Sequence, residues 1–115
     1  LTTQLYNGLN SPNYFTIYPP ICQAIYFVST FFSKSLVSSI ILMRAFIIFA
    51  DIGIIYFGKK ILSFFQWEEK NIYWYALNPL IIVELTGNLH FEGIMLFFLL
   101  GSIYFIISEK YVMDI

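Results

Sequence analysis

The chain has 115 residues, of which 59% are hydrophobic, 21% aromatic and 11% charged, with a formal net charge of -1. Soluble domains carry about 25% charged residues, and six basic plus seven acidic side chains are too few to solvate the large relative surface of so small a globule. A soluble monomer, a disordered linker and a nucleic-acid binder are excluded, which leaves an all-α, polytopic membrane protein or a piece of one, with room for about three or four spans of about 20 residues.

In chain order, residues 1–18 are rich in Asn, Gly, Pro, Thr and Tyr, a turn-forming composition. Their tyrosines suit a membrane–water boundary, so residues 1–20 are expected to be an external loop. Pro19 and Pro20 open an apolar stretch over 21–32. Proline is tolerated at a helix start, where its missing N–H has no partner to lose. A helix of this length reaches about 18 Å, short of a hydrocarbon core of about 30 Å, so it reads as an interfacial or re-entrant helix. The apolar run 36–57 is long enough to span and carries Arg44 and Asp51. Residues 58–70 hold the densest group of charges, five of the thirteen, interleaved with Ile, Leu, Phe and Trp, and read as a loop at the interface. A second span is expected over 71–87, broken by Pro79 and carrying Glu84, and a third over 91–108.

Lys59, Lys60, Lys70 and Lys110 fall on one face if the three runs are antiparallel, and lysine is enriched on the cytoplasmic side. The 58–70 loop is then cytoplasmic, and residues 1–35 with the Gly87-Asn88-Leu89-His90 turn are external. The chain starts at Leu1 with no basic leader before an apolar stretch, so it reads as an internal fragment of a longer polypeptide. Cys22 is the one cysteine, which excludes an internal disulfide and a cysteine metal cluster.

Ionisable residues inside a span are costly and usually functional. Arg44 and Asp51 return to within about 20° of the same helix face. Counted up from the lysines, Asp51 and Asn78 both lie about 12 Å high, while Arg44 and Glu84 lie about 22 and 21 Å high. Two cross-span contacts are expected from these heights, Arg44 with Glu84 and Asp51 with Asn78. The second is read as a structural polar pair that fixes helix packing. Arg44 is equally suited to an anionic headgroup at the outer mouth.

The stretch Gly87-Asn88-Leu89-His90-Phe91-Glu92-Gly93 is the richest in chemistry. Asn88 is expected to cap the following helix, whose N-terminus favours an anion such as phosphate. His90 can donate to that anion or titrate near neutrality. Glu84 and Glu92 can hold sugar hydroxyls or a divalent metal, although one His and two Glu at this spacing match no strong metal motif. The plainer reading is an exposed, well-capped turn.

Tyr18-Pro19-Pro20, then Arg44 and Asp51 on one span, then Asn78-Pro79 leading to Gly87-Asn88-Leu89-His90, together resemble the GT-C superfamily of multi-spanning glycosyltransferases. The likeness is to the mannosyltransferase-like branch, which also contains the first mannosyltransferase of GPI-anchor synthesis, and it covers roughly residues 14–110. The resemblance implies a polyprenyl-phosphate sugar donor held in the bilayer, with a hexose, mannose in that branch, passed to an acceptor hydroxyl at the outer face. It also implies an acidic base in an external loop upstream of Leu1, so no catalytic residue is assigned within the chain. Tyr18, Arg44, Glu84, Asn88, His90 and Glu92 remain as substrate-binding candidates, with membrane lipid, lipid-linked sugar and the rest of the polypeptide as partners. The fragment alone is then expected to be inactive. Two other readings stay open: part of a secondary transporter, for which intramembrane charges and a Pro-broken helix are suited, and a membrane scaffold. The Ile, Phe, Asn and Lys bias suggests an AT-rich bacterial genome and so a bacterial cytoplasmic membrane.

Overall fold

The computed structural model describes residues 2–8, 13 and 18–113, apart from the side chains of residues 2, 4, 5 and 110–113. Among these residues all regular structure is helical. The loop expected over 1–20 lies partly outside the described residues, and its beginning is instead a short helix, α1 (Thr2–Asn7).

Helix α2 (Pro20–Phe31) begins with proline in its first turn and has 12 residues, the short element anticipated from the apolar stretch. Ser35 starts α3 (Leu36–Phe64). Its hydroxyl accepts the Ser38 N–H at 3.2 Å, and Ser38 Oγ accepts the Ser35 N–H at 3.1 Å, a reciprocal cap that satisfies two orphan donors.

The expected break after Phe57 is absent: α3 continues through Lys59 and Lys60 and has 29 residues, about 43 Å of helix. Lysine, isoleucine and leucine are good or adequate helix formers, and the two ammonium groups lie over aromatic rings, Lys59 over Tyr73 and Lys60 over Tyr56, each 5.9 Å from the centroid. The helix stops where Gln66 turns left-handed (φ 59). There the Gln66 N–H bonds Ser63 O at 3.0 Å and the Trp67 N–H bonds Leu62 O at 2.9 Å, a Schellman closure.

The single span expected over 71–87 is a series of short pieces: a 3-10 turn (Glu69–Ile72), α4 (Tyr73–Ala76), α5 (Pro79–Ile81) and a π-helical turn (Ile82–Gly87). The break sits at Asn78, whose extended backbone (φ -73, ψ 115) is the one that a following proline enforces. The Asn78 side chain then caps the new turn, accepting the Leu80 N–H at 3.0 Å. The segment still climbs along α3 from Gly58 to Arg44, because Ile72 lies against Gly58, Tyr75 reaches Asp51 and Thr86 meets Arg44.

Having risen, the chain turns into α6 (Glu92–Met113), which therefore runs in the same direction as α3. The two pack reciprocally. The Phe97 ring covers Gly53 of α3, the Phe57 ring covers Gly101 of α6, and the two rings lie 5.7 Å apart. Cys22 and Ile25 of α2, Ile47 and Ala50 of α3, and Phe91 and Ile94 at the start of α6 form the core. Helices α3 and α6 are both long and apolar enough to cross a membrane, and large side chains such as Phe49 and Trp74 stand exposed on the outside.

The polar pairs are shifted from their expected partners. Asp51 accepts the Tyr75 hydroxyl at 2.7 Å, not Asn78, because Asn78 is used in its own turn. A double-mutant cycle between Asp51→Ala and Tyr75→Phe is expected to give a coupling of about 1 kcal/mol, the size found for hydrogen bonds between membrane helices. The same cycle between Asp51 and Asn78 should give none. Reversible unfolding in mixed micelles reads both.

Candidate active site

At the end of the bundle away from Lys59 and Lys60, the π-helical turn, the 87–91 connection and the start of α6 meet the start of α2. The chain enters α2 through Tyr18, whose carbonyl accepts from Gln23 Nε2 at 2.8 Å. Cys22 and Tyr26 lie four apart on α2 and share one face, and Tyr18, just ahead of the helix, lines the same cavity. Opposite them stand His90, Glu92 and Met95. These walls enclose a cavity of about 290 Å³. Tyr26 packs edge-on against Tyr18 at 5.7 Å and Phe91 at 4.8 Å, which fixes the aromatic wall.

His90 is the centre of the polar wall. Its Nε2 lies 3.5 Å from Glu84 Oε2, and its Nδ1 lies 3.3 Å from Glu92 Oε2. A neutral imidazole has one N–H, whereas the imidazolium has two and can serve both carboxylates. All three side chains are about half exposed, so a polar ligand can reach them. Burial, with the Glu92 carboxylate second, pushes the Cys22 thiol up from its ordinary value. The cysteine therefore contributes a protonated, weakly polar lining and not a thiolate.

The sequence-based candidates are distributed as follows. Glu84, His90 and Glu92 come together as one cluster. Asn88 lines the cavity but does not cap α6: it ends the π-helical turn, Leu89 is left-handed (φ 58), and α6 starts only at Glu92. Arg44 does not pair with Glu84. Its Nε donates to Thr86 O at 3.1 Å and its Nη2 to Gly87 O at 3.3 Å, because the wide π turn brings these carbonyls, and not the carboxylate, to α3. Asp51 and Asn78 lie outside the cavity wall, and so does Glu84, which meets the wall only through His90. Among the described residues no three His, Cys, Asp or Glu side chains are arranged to hold a metal ion; Glu84 and Glu92 approach opposite edges of the His90 ring. Cys22, Tyr26 and Met95 were not expected at the site. The spacing of four between Cys22 and Tyr26 is the signal that puts the first two on one face of α2.

Fold and site together define an all-helical protein with two membrane-length helices and a carboxylate–imidazole pocket lined by tyrosines at one end. Residues 13–115 match the alpha-(1->6)-mannopyranosyltransferase N-terminal domain, the MptA_B family. The chain belongs to that family, and with its two apolar helices it is an integral membrane protein of the mannosyltransferase class. Comparison with curated proteins and with solved structures gives no match.

Proposed function

We propose that the pocket binds the hexose of a polyprenyl-phosphate sugar, mannose, during its transfer to an acceptor hydroxyl at the outer face of a bacterial cytoplasmic membrane, by chemistry of the GT-C type. The observation that carries this reading is His90 and Glu92 on the wall of a cavity faced by Tyr18 and Tyr26, with Glu84 on the other ring nitrogen of His90. Carboxylates accept sugar hydroxyls, and aromatic rings receive the apolar face of a sugar while keeping a polar tip available. A departing lipid phosphate gathers negative charge, which a positioned ring N–H of His90 stabilises. The enrichment of lysine on the cytoplasmic side supports an outer-face pocket, since the pocket lies at the end of the bundle away from Lys59 and Lys60. The transporter reading is less favoured because Arg44 and Asp51 are taken up in hydrogen bonds within the protein.

Membranes from cells making the full-length protein test the donor class. Radiolabelled polyprenyl-phosphate mannose is expected to give labelled product in proportion to the protein present, and a nucleoside-diphosphate mannose is not, once synthesis of the lipid-linked donor is blocked. Transfer from the nucleotide sugar alone would contradict the proposal.

A further inference from the structure

Two helical segments of this chain end in the same way, with one difference. At the end of α3, left-handed Gln66 lets the Trp67 N–H reach Leu62 O and the Gln66 N–H reach Ser63 O. At the end of the π-helical turn, Leu89 takes the place of Gln66, and the His90 N–H reaches Leu85 O at 3.1 Å as Trp67 reaches Leu62. The carbonyl that corresponds to Ser63 is that of Thr86. It accepts Arg44 Nε at 3.1 Å, and the next carbonyl, Gly87, accepts Arg44 Nη2 at 3.3 Å.

We infer that Arg44 is a positioning residue: by closing the π-helical turn at Thr86 and Gly87 it sets where Glu84 and His90 stand. The carbonyls at a helix end have no partner within the helix, and in apolar surroundings such a group is costly. Two neighbouring N–H groups of a planar guanidinium match two successive carbonyls. The same contact gives a basic residue within a span the partners it needs. Glu84 precedes the clamped carbonyls and His90 follows them, so a change in the closure moves both. Arg44 reaches the turn from α3 and is not part of the cavity wall. It therefore acts through the turn and not on a ligand.

The test uses the unliganded chain in nanodiscs, with Arg44→Gln and Arg44→Lys. The inference concerns the same turn as the proposed sugar site, but nothing in the test depends on donor binding, so the two can fail separately. Amide exchange is measured at Asn88 and His90, whose N–H groups bond Val83 O and Leu85 O, and at Ile54 and Leu100 in the packed helices. The ring nitrogens of His90, the one histidine in the chain, are followed by NMR. Arg44→Gln is expected to speed exchange at Asn88 and His90 by about tenfold or more, as befits loss of hydrogen bonds to a charged group. Exchange at Ile54 and Leu100 should be unchanged and the His90 ring signals displaced. Arg44→Lys, with one ammonium in place of the fork, should fall between. Wild-type exchange and ring signals in both variants would overturn the inference. So would loss of protection throughout α3 and α6 in both, since Arg44 would then support the whole fold and not the turn.

Discussion

Replacing His90 with alanine in the full-length protein is expected to lower mannosyl transfer by about a hundredfold, the usual scale for one positioned acid, base or charge-stabilising donor. The ring touches a carboxylate on each edge. Its loss leaves Glu84 and Glu92 without the ring between them and removes the donor proposed to meet the leaving phosphate. Glu92→Gln keeps an acceptor and a similar shape, so a smaller loss of about tenfold is expected, one pair's worth of a charge-assisted hydrogen bond. Folding should hardly change in either variant, because half-exposed ion pairs contribute little to stability. Rates are read at matched protein level, with Asp51→Asn as a variant outside the pocket that should transfer at the wild-type rate.

The largest effect on stability is expected at Gly53. The Phe97 ring edge occupies the place of any methyl group added there, and forcing extra carbon into a packed site costs about 1–3 kcal/mol. Alanine recovers about 1 kcal/mol through its better helix propensity, so Gly53→Ala should lose up to about 2 kcal/mol net. Gly58 is a useful contrast. A methyl group there would meet Ile72 Cδ1 at 2.5 Å, but that atom is the end of a flexible side chain that can rotate away. Gly58→Ala is expected to be nearly neutral. Phe97→Leu should rescue Gly53→Ala in part, and a double-mutant cycle in mixed micelles reads that coupling. Additive losses would mean that the ring and the glycine do not meet.

Much of this architecture was legible in the sequence, and the exceptions have physical causes. The runs 36–57 and 91–108 announce α3 and α6 because a membrane helix needs an unbroken apolar length. The end of α3 was hidden because charge marks the edge of the bilayer and not the end of a helix, so Lys59 and Lys60 continue it. The cluster of Glu84, His90 and Glu92 was visible because all three lie within one short stretch. Their arrangement was not, since it depends on the π turn and on left-handed Leu89. Counting heights from the lysines brought Arg44 and Asp51 to the right segment but to the wrong residues, because the count treats 71–87 as a straight helix. Tyr75 and Thr86 fall within a turn of the expected partners. Cys22 and Tyr26 share a face of α2 by their spacing, but that this face meets Phe91 and Met95 depends on how α2 and α6 both pack on α3, which spacing alone does not give.

The most direct measurement of the central claim, that this pocket holds the sugar, follows the two ring nitrogens of His90 while mannosyl-phosphate donor is added to the protein in nanodiscs. A saturable displacement of both signals is expected, reproduced with mannosyl phosphate lacking the lipid at higher concentration and needing about tenfold more donor in Glu92→Gln. Ring signals that stay in place while the same preparation transfers mannose would contradict it, because the sugar would then be bound elsewhere.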